Sequence, residues 1–112
     1  MTKMEKIHKE IENLFKEYEI CYWFSIFHSG KKYTYNSDGS CKVEDANVKD
    51  YFEWGNPKTL CMSFDADIYD VFNYDILPSC LKKFDAIIDK YGYYYEFGNA
   101  WNLTLVRKWN VW

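Results

Sequence analysis

Two stretches of apolar residues with helical spacing, widely separated in the chain, most strongly limit the fold that it can adopt. The first predicts an amphipathic helix over about residues 3–18. Its apolar positions lie three or four residues apart, with Lys and Glu between them: Met4, Ile7, Ile11, Leu14, Phe15 and Tyr18. Thr2 is placed to cap this helix, and Glu5, three residues later, can complete a capping box.

The second stretch predicts a helix over about residues 76–91. Its apolar positions step alternately by four and three residues: Leu77, Leu81, Phe84, Ile88 and Tyr91. Pro78 lies in the first turn, where proline is tolerated, and Gly92 follows at the position where helices commonly end. Each helix therefore has one apolar face that needs a surface to cover.

Strand-like segments between the helices supply that surface. Residues 19–28 are rich in β-branched and aromatic types, and Ser29-Gly30 suits a two-residue hairpin loop. With that loop the paired residues are Phe24 and Tyr35, Ser25 and Thr34, Ile26 and Tyr33, and Phe27 and Lys32. This register separates most apolar from polar side chains, which favours the hairpin. Residues 36–40 are typical of a turn, and residues 59–66 predict a central strand.

Three further segments have weaker signals. Residues 44–54 predict a short helix that ends before Gly55-Asn56-Pro57, and residues 67–74 fit either an irregular strand or a loop. After Gly92 we expect a final hairpin with the three-residue loop Gly98-Asn99-Ala100. That loop pairs Phe97 with Trp101, Tyr95 with Leu103 and Tyr93 with Leu105, and it separates apolar from polar faces better than a two-residue loop does.

The resulting order of elements is α-β-β-(α)-β-α-β-β, which is an α+β fold. We expect an antiparallel sheet of about five strands with the two long helices packed on one face. At 112 residues the chain forms a single domain, residues 1–112. The expected core joins two sets of side chains: Ile7, Ile11, Leu14, Leu81, Phe84 and Ile88 from the helices, and Phe24, Ile26, Met62 and Leu103 from the sheet.

Aromatic content and charge distribution point to a protein partner. Aromatic residues make up 21% of the chain, and such a surplus builds either a heavy core or an adhesive surface. Residues 38–75 hold nine acidic residues and three lysines, a net charge of −6, whereas the segments on either side are slightly positive. A field of that sign attracts basic surfaces and repels nucleic acid, so we expect no nucleic-acid binding.

The cysteines and the apolar runs indicate the compartment. Cys21, Cys41, Cys61 and Cys80 are scattered and match no metal-ligand spacing. The charged N-terminus lacks the apolar stretch of a signal peptide, and the longest mostly apolar run, residues 20–27, is too short to span a bilayer. We therefore expect a cytoplasmic protein without membrane contact whose thiols are reduced and mostly buried.

Asp65 and Asp67 are the best candidates for chemistry. Two carboxylates two residues apart at the end of a strand point the same way and can share a divalent cation, as in phosphoryl and nucleotidyl transfer enzymes. The Gly-Ser pair that nucleotidyl transfer needs about a dozen residues upstream is missing, because Gly39-Ser40 lies about twice that far away. His8 and His28 are expected at the surface. We expect no catalytic residues, no bound metal and no cofactor.

The favoured interpretation is a small non-enzymatic protein-binding module that acts through an acidic, aromatic-rich surface. Inhibitors, immunity proteins and anti-defence proteins of phages and mobile elements share this size and charge pattern. The expected partner-binding residues are aromatic or acidic residues whose positions packing does not explain: Trp54, Asp67, Tyr69, Asp70, Tyr74 and Tyr94. The alternatives are the metal-dependent enzyme and a structural homodimer whose aromatic face pairs with its own copy.

Overall fold

The computed structural model describes residues 1–108 and contains three helices and six strands among them. The helices are α1 (Lys3–Glu17), α2 (Ala66–Asn73) and α3 (Pro78–Lys90). The strands are β1 (Phe24–His28), β2 (Lys31–Tyr35), β3 (Cys41–Asp45), β4 (Cys61–Phe64), β5 (Tyr93–Asn99) and β6 (Asn102–Arg107). Thr2 and Glu5 form the expected capping box at the start of α1, and Gly92 follows α3 with a φ of +86°.

The strands form one antiparallel sheet in the order β3-β2-β1-β4-β6-β5. The α+β class is confirmed, but the sheet has six strands and not five. The expected helix over residues 44–54 is wrong, because residues 41–45 form β3 and only Val48–Asp50 make a short 3-10 turn. The turn at residues 36–40 reverses the chain, and its Asn36 amide donates to the Ser40 carbonyl at 2.9 Å. β3 is thereby laid along the free side of β2.

The helices cover one face of the sheet, and the main core lies between them. Ile7, Ile11 and Leu14 of α1 and Phe84 and Ile88 of α3 join one buried cluster with Phe24, Ile26, Met62 and Leu103, as expected. Leu81 packs at the margin of this cluster. The rings of Phe15 and Phe72 flank Phe84, with centroid distances of 6.2 and 5.1 Å.

Of residues 67–74, for which we expect a strand or a loop, all but Tyr74 belong to a helix instead. Asp65 caps α2 by accepting a hydrogen bond from the Ala66 amide at 2.8 Å. Ile68 and Val71 are buried, and Phe72 packs against the core beside them. These three positions have the helical spacing of an element that is only eight residues long. α2 thus lies on the same side of the sheet as the two long helices.

The two hairpins differ in how closely they follow their predicted pairing. β1 and β2 pair in the predicted register around Ser29 and Gly30, which both have positive φ. The final hairpin is shifted by two residues, so that Tyr95 faces Leu105 and Phe97 faces Leu103. The predicted loop Gly98-Asn99-Ala100 is wrong, because Asn99 faces Asn102 and the loop is Ala100-Trp101. A bulge at Gly98, where a Cβ would lie 2.3 Å from the side-chain oxygen of Asn102, then makes the shift two residues and not three. A shift of two leaves each of these side chains on its predicted face.

Candidate binding site on the open face of the sheet

No helix of the described residues covers the second face of the sheet, which we call the open face. The loop formed by residues 46–57 lies on part of it, and the resulting small cluster contains Phe27, Val48, Phe52 and Cys61. Beyond this loop, the open face is bare where β1 begins and β4 ends. A recess in this region is therefore bounded by β1 and β4, whose opposite face packs in the main core.

A row of polar side chains crosses the bare region. Directly paired residues of five neighbouring strands make up this row: Lys42, Thr34, Ser25, Ser63 and Asn102. Paired residues of neighbouring strands project from the same face, so the three hydroxyl side chains at the centre lie side by side. Their small size leaves a depression in the sheet. Ser25 donates to the Thr34 hydroxyl over 3.4 Å, which is a long hydrogen bond.

The depression is the floor of an open trough of about 780 Å³. Trp23 and Trp101 line it and are 52% and 47% exposed. Tyr69 of α2 also lines it, and Asp65 is its only lining residue with a formal charge. The trough therefore combines aromatic surfaces, hydroxyl groups and one carboxylate, which is the composition of a polar-ligand or side-chain binding site.

Backbone hydrogen bonds fix both tryptophans. The Trp23 amide donates to the carbonyl of Tyr35 at 2.7 Å, and its own carbonyl accepts from the Asp65 amide at 3.1 Å. Trp23 has a φ of +56°, a conformation that is costly for a bulky residue and is held here by these two bonds. The Trp101 carbonyl accepts from the Phe64 amide at 2.9 Å, and its ring lies 6.0 Å from that of Phe52.

The acidic side chains beside the trough lack cationic neighbours. Within residues 1–108, Asp65, Asp67, Asp70 and Asp75 form no ion pair with Lys or Arg. Asp67 instead accepts a hydrogen bond from the Tyr22 hydroxyl, which raises the pKa of Tyr22. The end of the molecule around α2 thus carries negative charge that nothing in this part of the chain neutralises.

The predicted partner-binding residues fall into two groups. Asp67, Tyr69, Asp70 and Tyr74 lie on or directly after α2, where the rings of Tyr69 and Tyr74 are 6.0 Å apart. Trp54 is 73% exposed and lines a second depression of about 380 Å³ with Glu96, Thr104 and Val106.

Tyr94 belongs to this second group. It is 43% exposed and pairs with Val106 across the β5–β6 hairpin. The sequence alone did not identify Trp23, Trp101 or the polar row, because the row becomes visible only once the pairing of β1, β4 and β6 is known.

The geometry assumed for Asp65 and Asp67 is wrong. β4 ends at Phe64, Asp65 is the N-cap of α2, and Asp67 lies in the first helical turn. The two carboxylates therefore do not project from alternate positions of one strand. In residues 1–108, no group of three or more His, Cys, Asp or Glu side chains is arranged to hold a metal ion.

His8 and His28 are buried and not at the surface as expected. His8 Nδ1 and His28 Nε2 are 3.0 Å apart, His8 Nε2 and the Tyr35 hydroxyl 2.8 Å, and His28 Nδ1 and the Ser29 hydroxyl 2.9 Å. The Tyr35 hydroxyl donates to Glu12 at 2.5 Å. Because Tyr35 gives its proton to Glu12, it accepts from His8 Nε2. His8 Nδ1 then accepts from His28, and His28 Nδ1 accepts from Ser29.

In this direction of the hydrogen bonds both imidazoles are neutral, and burial favours the neutral forms. Burial, with His28 as the next contribution, lowers the pKa of His8 to about 4, although Glu12 opposes this change. Burial also lowers the pKa of His28. Burial raises the pKa of Glu12, but hydrogen bonds from Tyr35 and Lys9 more than offset it and leave the value below the ordinary one. The cluster ties α1 to the β1–β2 hairpin.

The cysteines offer no activated nucleophile. Cys21, Cys61 and Cys80 are buried, whereas Cys41 is exposed on β3. Burial raises the pKa of Cys21 and of Cys80 to about 11, so both stay protonated and unreactive near neutral pH. Their surroundings are those of small hydrophobic core residues.

Comparisons with known proteins give no family for this chain. No family model, curated protein or solved structure matches it. In residues 1–108, none of the helices has the length and apolar character that crossing a bilayer requires. The trough and the acidic residues of α2 are therefore the features from which a function has to be inferred.

Proposed function

We propose that this protein is a cytosolic, non-enzymatic binding module that takes up a basic protein partner on its open face and on α2, and so inhibits that partner. The observation that carries the proposal is the trough lined by two half-exposed tryptophans and Asp65, which is one of four aspartates of α2 and its flanks that have no Lys or Arg partner in residues 1–108. Half-exposed tryptophans on a rigid sheet are the usual anchors of a protein interface.

The charge pattern supports a basic partner. Each of the seven ion pairs of the described residues lies outside α2, so the lysines that form them are not available to neutralise it. Asp67 and Asp70 follow Asp65 on α2 and add to its negative charge. Charges in this position speed encounter with a partner of opposite sign, while the rings provide the contact that is desolvated in the complex.

The test compares neutralised variants in capture experiments. We expect tagged protein to retain a partner from extracts of its native host, and Asp67→Asn with Asp70→Asn to weaken that retention. The matched control is Asp50→Asn with Glu53→Gln, which removes the same charge from the loop formed by residues 46–57. If the control retains the partner and the α2 variant loses it, the charges that attract the partner lie on α2.

The aromatic contribution is tested separately. Replacement of an anchor ring by alanine costs about 2 kcal/mol or more of binding free energy. We expect such a loss for Trp101→Ala or Tyr74→Ala, with circular dichroism to verify folding. Trp54→Ala and Tyr94→Ala report whether the interface extends to the second depression. Equal affinity in all four variants, or tighter binding at higher salt, contradicts the proposal.

A further inference from the structure

We infer that the trough receives an arginine side chain of the basic partner, whose guanidinium lies against the two tryptophans and reaches Asp65; this inference rests on the proposed function. The trough has a volume of about 780 Å³, which is large enough for a long side chain, and it is open to the main chain that carries that side chain. Its chemistry distinguishes between the side chains that a basic partner can offer.

The floor of the trough keeps hydrogen-bonding capacity for a ligand. Ser63 is half-buried at its centre, and its hydroxyl has no hydrogen-bond partner among residues 1–108. Among residues 1–108, the side-chain hydroxyl of Thr34 takes part only in the long hydrogen bond from Ser25. Since no buried polar side-chain atom of this part of the chain is left unsatisfied, the Ser63 hydroxyl faces accessible space. It can accept an N–H group of a guanidinium.

The walls favour a cation that can also stack. Trp23 and Trp101 each leave about half of their surface to the trough and its surroundings. The indole face is the best aromatic partner for a cation. A guanidinium is flat, weakly hydrated and able to stack on such a face, whereas an ammonium is compact and holds its water more strongly.

Asp65 provides the only charge of the lining, and half of its carboxylate is free. Its Oδ1 atom accepts from the Ala66 amide at 2.8 Å, and no described hydrogen bond uses Oδ2. No Lys or Arg of residues 1–108 competes for this oxygen. A charge-assisted bond from a guanidinium to Oδ2 leaves the cap of α2 intact.

The inference is tested with three short peptides of the form acetyl-Gly-X-Gly-amide, where X is arginine, lysine or the uncharged analogue citrulline. The readout is the indole N–H resonances of Trp23 and Trp101 in nitrogen-15 spectra, and Trp54 is the internal reference outside the trough. We expect the arginine peptide to shift both trough signals and to bind about fivefold more tightly than the lysine peptide. The citrulline peptide should produce no comparable shift.

The variant Asp65→Asn removes the charge but keeps the helix cap, because Asn caps helices as well as Asp does. We expect it to weaken arginine binding about fivefold or more, with Asp50→Asn unchanged. Citrulline binding as strong as arginine binding, shifts confined to Trp54, or unaltered affinity in Asp65→Asn each overturn the inference. If the protein captures its partner through α2 but the arginine peptide shifts neither tryptophan signal, this inference is overturned and the proposed function stands. Arginine binding without α2-dependent capture overturns only the proposed function.

Discussion

His8 shows how a single residue can depend on the direction of a hydrogen-bond network. Both of its ring nitrogens have partners, and the carboxylate of Glu12 at the end of the chain sets the direction of every bond. Protonation of His8 puts a hydrogen on Nδ1, so that His28 has to shift its own hydrogen from Nε2 to Nδ1 and donate to Ser29. Burial of the charge adds to this rearrangement, so the neutral forms are favoured at the contact between α1 and the first hairpin.

This arrangement predicts that acid destabilises the fold well before the carboxylates titrate. In the unfolded chain His8 takes up a proton near its ordinary value of 6.5, whereas the folded value is about 4. The unfolded state thus binds more protons below pH 6.5, so stability falls as the pH decreases from 6.5 towards 4. We expect a loss of about 2 kcal/mol in the free energy of unfolding between pH 7.5 and pH 5, measured by urea denaturation.

A variant without the two imidazoles is the control for this prediction. In His8→Gln with His28→Gln, the slope of stability against pH should flatten between pH 7.5 and pH 5, whatever the absolute stability. Equal stability of the unaltered protein at both pH values would mean that the histidines do not form the neutral chain. The comparison of slopes separates this effect from a loss of packing.

At the scale of elements, Phe84 joins α3 to its neighbours through aromatic contacts. Its side chain is 1% exposed and is surrounded by three rings, with Tyr95 of β5 at a centroid distance of 5.4 Å in addition to Phe15 and Phe72. This one ring therefore connects α1, α2, α3 and β5.

We expect Phe84→Ala to lower the free energy of unfolding by about 3–5 kcal/mol, because a cavity is left among aromatic rings that cannot all move into it. Denaturation in urea measures the loss. Lys82→Ala, at an exposed position of the same helix, should change stability by less than about 0.5 kcal/mol. A loss below about 1 kcal/mol in Phe84→Ala would contradict the central position of this ring.

Elements with strong local signals were predictable from the sequence. α1 has a regular apolar period and a capping box, and the loop at Ser29 and Gly30 fixes the register of the first hairpin. β3 was missed because it is an edge strand whose side chains are nearly all exposed, so it lacks the alternation that identifies a strand. α2 was missed because its apolar spacing extends over only two turns.

The candidate site was predictable only in part, because it depends on contacts between distant segments. The acidic and aromatic character of α2 is visible in the sequence, and Tyr69 does line the trough. Ser25 and Ser63 become neighbours only through the pairing of β1 with β4. Trp101 reaches the trough through a bulged hairpin whose register the apolar pattern did not determine.

For the whole molecule, the edge strands of the sheet decide whether copies of the chain associate by strand pairing. β3 and β5 are the two edge strands, and β5 is interrupted by the bulge at Gly98. β3 is regular but only five residues long, and it carries Lys42 at an exposed position and Glu44 at a half-buried one. Short edge strands with charged side chains resist pairing with a second copy.

We therefore expect the protein to be a monomer at tens of micromolar, as measured by size-exclusion chromatography with light scattering. Lys42→Val with Glu44→Val leaves the net charge unchanged and should produce dimers or larger species, because β-branched side chains then surround the free main-chain groups of β3. The control, Lys6→Val with Glu53→Val, adds the same apolar surface away from both edges and should remain monomeric. A monomeric β3 variant would mean that these charges do not protect the edge.

A dimer of the unaltered protein that Trp101→Ala dissociates would favour the homodimer alternative, since the open face would then be covered by a second copy and not by a basic partner.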